Sequence, residues 1–264
     1  MHLMSLKSLL AAIIVRTPLR SFPVRIRSGL AKGAWWTAFP SSSYWRGNVE
    51  DDIEDAIRNY VEPGATCWDL GTHFGIYTLG MSLRVGPAGQ VAGFEPSATA
   101  FAKCLRHVQM NRLSNVKLFN AAVSDVSRTG QLILAHGDWA TTSHLPLEDQ
   151  GSRDIEQGEA DARRVDVKEL KLDDLVDSGE IGLPNFIKVD VEGHGAKAVR
   201  GALTTIAKAR PVIVMSFHSS WELDETREAL QPLGYVADWG GALYKTVILL
   251  PERRTHKERS PNSG

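Results

Sequence analysis

Asp69-Leu70-Gly71-Thr72-His73-Phe74-Gly75 is the stretch on which the reading of this chain turns. It follows Ala65-Thr66-Cys67-Trp68, which reads as a short buried strand, and leads into Ile76-Tyr77-Thr78-Leu79-Gly80-Met81-Ser82-Leu83, which reads as a helix. A strand, a glycine turn and a helix bring backbone N–H groups close to a nucleotide-like ligand. Twenty residues past Gly75, Gln90-Val91-Ala92-Gly93-Phe94 reads as a second strand ending at Glu95. A carboxylate there can accept both hydroxyls of a ribose.

Around this device the chain has the means to build one large α/β domain. At 264 residues it is short for two. Charged residues make up 23% and hydrophobic residues 43%, and a net charge of −1 gives no bulk attraction for nucleic acid. Cys67 and Cys104, the only cysteines, fall in a predicted strand and a predicted helix and are expected to be reduced core residues. Residues 1–49 hold seven Lys or Arg and no acid, and are expected to form a basic arm on the domain, with peripheral membrane contact through 1–30 as the alternative. The apolar run from Leu9 to Val15 is too short to span a bilayer, and a cytoplasmic location is expected. The domain is expected over 50–251, with an insertion or lid at 136–163, and 252–264 as a flexible tail.

Helical spacing is read over Asp51 to Val61, over Ser97-capped residues to about Arg112, over Ala196 to Ala209 and over Glu222 to Leu233, with a short helix from Leu172 to Val176. Strands are read at Val116 to Val123, Phe186 to Asp190, Pro211 to Phe217, Tyr235 to Trp239 and Tyr244 to Leu250. Further extended segments are read at Gln131 to Ala135 and Arg164 to Lys168. This alternation implies a mostly parallel sheet covered on both faces, with ligands outside the carboxyl ends of its strands. Asp69, Glu95, Ser124-Asp125, Asp190 and His218 all fall at or just after such ends.

The loop is Asp-x-Gly-x-x-x-Gly, not Gly-x-Gly-x-x-Gly, and a leading carboxylate suits a pyrophosphate poorly. It suits a ligand with a cationic amine or sulfonium, as S-adenosylmethionine has. Gly71 would permit close backbone approach and Gly75 close helix packing. Asp125 can approach the adenine rim or cap the turn before Arg128. These segments, with Tyr44-Trp45-Arg46-Gly47-Asn48-Val49-Glu50, Phe94-Glu95-Pro96, Asn120 to Asp125 and Phe186-Ile187-Lys188-Val189-Asp190-Val191-Glu192-Gly193, resemble the FkbM-type family of S-adenosylmethionine-dependent methyltransferases. The resemblance covers roughly residues 44 to 250. It implies a Rossmann-like class I methyltransferase fold, seven mostly parallel strands with the last antiparallel and helices on both faces. It also implies a hydroxyl acceptor on a sugar, glycolipid or other small molecule. Members often carry an acidic residue where Gly195 stands, and a glutamate where this chain has Ser216-Phe217-His218.

The expected cofactor set is Asp69, Gly71, Thr72, His73, Gly75, Tyr77, Glu95, Pro96, Ser124, Asp125 and Asp190. For proton removal from an acceptor hydroxyl the candidates are His218 and His194, oriented by Asp190 or Glu192. Asp190, Glu192 and His218 could instead hold a divalent cation. Trp139, Glu192 and Trp221 are candidate acceptor contacts, Trp239 and Tyr244 further walls, and Trp35, Trp36 and Trp45 could pack the arm over the pocket. A non-catalytic scaffold, a nucleic-acid methyltransferase and a nicotinamide-dependent oxidoreductase are the alternatives.

Overall fold

The seven-stranded sheet follows from strands whose side chains are mostly apolar on both faces, with one buried ion pair at its centre. In the computed structural model, residues 22–38, 44–47, 49–134, 163–239 and 245–252 are described. Helix α1 (Asp51–Tyr60) buries Ile53, Ala56 and Ile57 on one face and places Asp51, Asp52 and Glu54 in its first turn, where acids complement the helix dipole. Strand β3 (Thr66–Leu70), helix α2 (Ile76–Val85), strand β4 (Gln90–Phe94), helix α3 (Ala98–Met110) and strand β5 (Val116–Phe119) follow. Ser97 caps α3 by accepting from Ala100 N–H. Strand β9 (Phe186–Val189), helices α5 (Gly195–Arg200) and α6 (Leu203–Ala209), strand β10 (Val212–Ser216), helix α7 (Ser220–Leu230), and strands β11 (Tyr235–Val236) and β12 (Thr246–Pro251) complete it.

The strand order is β11-β12-β10-β9-β3-β4-β5. All neighbours from β5 to β10 are parallel, and β12 runs antiparallel to β10 and β11. This is the class I, Rossmann-like arrangement, with the last strand antiparallel. The order reverses between β3 and β9, which opens a crevice at their carboxyl ends. Alternate side chains feed two cores. Cys67 and Phe186 face α1 and α2, while Trp68, Leu70, Ile187 and Val189 face the helices after β9. Cys67 and Cys104 are free and buried.

Several expected elements change. The third strand is broken: Asn120 donates to the Glu95 and Pro96 carbonyls, the chain turns, and β6 (Ala122–Val123) leaves the main sheet. There it pairs with β8 (Arg163–Leu170), which also pairs with β7 (Arg128–Leu134). The expected helix from Ala196 to Ala209 is two helices: Asp173 N–H donates to the Gly201 carbonyl, and the Asp173 carboxylate accepts from the Thr204 and Thr205 N–H groups that open the second helix. A short helix α4 (Leu172–Asp177) stands where expected. The strand expected from Tyr235 to Trp239 ends at Val236, and Tyr244 lies outside the described residues.

In the basic arm, β1 (Phe22–Arg25) and β2 (Trp35–Ala38) form a hairpin. Its tryptophans do not roof a pocket. Trp36 is buried and stacks on His107 of α3 at 3.8 Å, Trp35 lies under Arg25, and Arg27 and Arg46 approach the ring of Trp45. His107 accepts from Thr37 N–H at Nε2, and its Nδ1 meets the Phe74 carbonyl at 2.8 Å, so the hairpin is tied to the glycine loop. Among the described residues no helix is long and apolar enough to cross a membrane. Residues 1–21, 135–162 and 253–264, which include most of the predicted insertion and tail, lie outside the described residues.

Candidate active site

A cavity of about 540 Å³ opens over the carboxyl ends of β3, β4, β9 and β10. At one end the glycine loop and Glu95 are locked together. Gly71 (φ 82°) and Thr72 both donate to the Phe94 carbonyl, and a Cβ on Gly71 would lie 1.9 Å from the Asp190 carbonyl oxygen. Glu95 accepts from His73 N–H at 2.8 Å on one oxygen and from Ser97 N–H at 2.9 Å on the other. Each oxygen therefore keeps a second acceptor direction. Burial pushes the Glu95 carboxyl up to about 7, against the pull of those two N–H groups. His73, held at φ 49°, stacks on Phe74, and burial lowers its imidazole to about 4, so it is neutral. Its buried Nε2 has no hydrogen-bond partner among the described residues. Thr72, Tyr77 and Pro96 also line this end, with Tyr77 donating to Glu50 at 3.0 Å.

Asp69 lies beneath the cavity and not on its lining. It is fully buried on the same face and in the same register as Lys188, whose ammonium lies 3.2 Å away. Thr78 of α2 donates to its other oxygen at 2.5 Å. The parallel register of β3 and β9 thus supplies an internal cation where the sequence suggested a cofactor one. Burial opposes the Lys188 charge, but Asp69 and Asp190 outweigh it and the lysine pKa is raised. The ammonium also donates to the Gly71 carbonyl at 2.9 Å, so the pair fixes the loop from beneath.

The other end gathers Asp190, Glu192, His194, His218, Lys245 and Thr246. The imidazole Nε2 of His218 lies 3.5 Å from Asp190 and 3.7 Å from Glu192, and Nδ1 lies 3.7 Å from Glu222. The Glu222 carboxylate beside Nδ1, opposed by burial and supported by the Glu192 and Asp190 charges, raises the His218 pKa. Burial pulls His194 the other way, to about 4. It sits at the start of α5 with Nε2 3.3 Å from the Ser124 hydroxyl. The two histidines are thus chemically distinct, and His218 is the one surrounded by carboxylates. The separations around His218 are those of ion pairs. Among the described residues no group of three or more His, Cys, Asp or Glu side chains is arranged to hold a metal ion.

Four further expectations shift. Gly75 does not line the cavity: at φ 91° it caps α2, and a Cβ there would lie 2.6 Å from Cys104 Sγ. Ser124 is buried against His194, and Asp125 turns to Arg200 at 3.3 Å, so neither lines the cavity. Trp221, on the first turn of α7, stands outside the wall, and Trp139 lies outside the described residues. Sequence reasoning missed Tyr44, Glu50, Lys245 and Thr246 as lining residues and Glu222 as the support of His218. Tyr44 and Glu50 stood in a recognised string. Glu222 carried the Ser-x-x-Glu capping pattern with Ser219.

A family model described as the methyltransferase FkbM domain matches residues 69–237, more than half of the chain. The chain is 24% identical over 168 residues to the hexuronic acid methyltransferase AglP of Haloferax volcanii, covering 62% of this chain and 61% of AglP. An FkbM methyltransferase structure from Methylobacillus flagellatus is 16% identical, with a TM-score of 0.47, over 74% of this chain and 50% of that one. Aeropyrum pernix fibrillarin with bound S-adenosylmethionine is 13% identical, with a TM-score of 0.43, over 72% of this chain and 67% of that one. The chain thus spans three fifths of AglP and half of the Methylobacillus protein. The matched segment runs from the glycine loop through the His218 cluster to β11, and the chain belongs to the FkbM family of S-adenosylmethionine-dependent methyltransferases.

Proposed function

We propose that this chain transfers a methyl group to a hydroxyl oxygen of a sugar or other small-molecule acceptor, with His218 taking the hydroxyl proton. The observation that carries the reading is one cavity with the Glu95 carboxylate at one end and the His218, Asp190 and Glu192 cluster at the other. The residues fit the cofactor. Glu95 is held by two backbone N–H groups with acceptor directions to spare for ribose hydroxyls. Apolar Ile76, Phe94, Ala122, Val123 and Leu132 offer walls for a flat base. His73 presents a buried nitrogen unpaired among the described residues, and Asp190 puts a carboxylate beside the space a sulfonium would enter. When bound, S-adenosylmethionine supplies an electrophilic methyl carbon.

The chain's own task is to hold an acceptor hydroxyl in line and receive its proton. In this reading His218 Nε2 receives the proton, and Asp190 and Glu192 stabilise the imidazolium formed. Lys245 and Thr246 give the acceptor end polar groups suited to a hydroxylated ligand. The similarity to a hexuronic acid methyltransferase supports a sugar acid as the first acceptor to try. The reduced, buried cysteines accord with a cytoplasmic setting.

The test is incubation of the full chain with methyl-labelled S-adenosylmethionine and a panel of uronic acids, neutral sugars and phenols. Label in a base-stable ether is expected. Label released by mild base would instead place the methyl group on a carboxylate. Cofactor binding without transfer to any acceptor would favour the non-catalytic alternative.

A further inference from the structure

Glu222 is a fully buried carboxylate in a position that its sequence context does not explain. The Ser219-Ser220-Trp221-Glu222 run is a capping box, and Ser219 does accept from Glu222 N–H at 3.1 Å. In such a box the glutamate returns to the N–H of the capping serine. Here it does not. One oxygen accepts from Gly195 N–H and the other from His218 N–H, both at 2.8 Å. The second oxygen also lies 3.7 Å from His218 Nδ1, a buried nitrogen with no hydrogen-bond partner among the described residues. Space for the carboxylate exists because residue 195 is glycine: a Cβ there would lie 2.6 Å from Glu222 Oε1.

We propose that Glu222 is a positioning residue for His218, fixing the backbone of residue 218 and directing the Nδ1 side of the ring so that Nε2 faces the cavity. This rests on the reading of His218 as the proton acceptor. Placing a carboxylate wholly out of water is costly unless it is paired. Its two backbone N–H donors and the adjacent imidazole provide that pairing. The arrangement is carboxylate, imidazole, acceptor in sequence, with the carboxylate favouring the tautomer that carries hydrogen on Nδ1. The other charged groups facing the ring are Asp190 and Glu192 from the loop after β9, both at Nε2, and Lys188 and Lys245 line the same cavity.

The test is E222Q in the full chain, which removes the charge, keeps one acceptor oxygen and sets the amide NH2 against one of the two backbone N–H donors. The expected result is a kcat about 10- to 100-fold lower with KM for S-adenosylmethionine unchanged. The acid limb of the pH–rate profile should move toward acid by about one pH unit. In an H218A background the same substitution should cost no further turnover. A lower Tm with the acid limb unmoved would mean that Glu222 only ties β10 to α5, and would overturn the proposal. Should E222Q fail to fold, ring ¹⁵N spectra of the unaltered chain with S-adenosylhomocysteine decide. An Nδ1–H tautomer for His218 is expected, and an Nε2–H tautomer overturns the proposal. The spectrum needs no turnover, so failure of the Glu222 role is distinguishable from failure of the methyl-transfer reading.

Discussion

Replacing His218 with alanine lowers kcat about 10²- to 10⁴-fold while changing S-adenosylhomocysteine affinity by about twofold or less. The split follows from position. His218 sits just past β10, at the opposite end of the cavity from Glu95, and its ring faces Asp190 and Glu192. Under the proposed function, removing it deletes the proton acceptor and leaves the proposed Glu95 anchor intact. The sign of the pH dependence follows from the same neighbours. The three nearby carboxylates, Glu222 first, then Glu192 and Asp190, raise the imidazole pKa above its ordinary value, although burial opposes them. A base must be neutral to act, so the rate is suppressed at low pH and climbs through a value above about 6.5. Single-turnover rates across pH for the two proteins measure both effects. An alanine variant with unchanged rate and the same acid limb would assign the base to another group.

Replacing Lys188 with methionine destabilises the fold by about 3–5 kcal/mol, roughly 10 °C in Tm. The lysine is 2% exposed and Asp69 0%. Without the ammonium, Asp69 keeps only the Thr78 hydroxyl among the described residues, in a site closed to water, and the Gly71 carbonyl loses its donor. The cost is that of a buried, unpaired charge, so removing both charges together should recover most of it. Thermal unfolding of Lys188→Met, Asp69→Asn and the double variant is the check. If the single lysine variant melts with the parent, the pair does not support the loop. Because the pair lies beneath Gly71, the lysine variant should also bind S-adenosylhomocysteine more weakly than its lost stability alone implies.

The parts of the fold written as local pattern were legible. The apolar strands, the Gly71 turn, the Ser97 cap and the acidic first turn of α1 are each decided within a few residues. What sequence could not supply was register and packing between distant segments. Asp69 reads as ligand-facing until β9 places Lys188 beside it, 119 residues later in the chain. The helix from Ala196 to Ala209 reads as continuous until Asp173, from another segment, donates to the Gly201 carbonyl and caps the Thr204 and Thr205 N–H groups. The strand through Asn120 reads as continuous until that side chain caps two carbonyls of the Glu95 turn. Gly195 and His218 stood out as departures from the family pattern. Only the structure shows that Glu222 fills the space left by the first and holds the second.

The central claim is that Glu95 anchors the ribose of the methyl donor in the cavity it shares with His218. It is tested most directly by calorimetric titration of S-adenosylhomocysteine into the unaltered chain and Glu95→Gln, at about pH 6 and about pH 8. Burial pushes the Glu95 carboxyl up to about 7, and the proposed ribose contact requires its ionised form to accept from the hydroxyls. Affinity of the unaltered chain should therefore rise with pH across that interval, with proton release on binding at the lower pH. Loss of two charge-assisted hydrogen bonds should weaken the glutamine variant roughly 30- to 100-fold. Its affinity should no longer vary with pH through this group. Equal affinity in the two proteins, with the same pH dependence, would contradict the account.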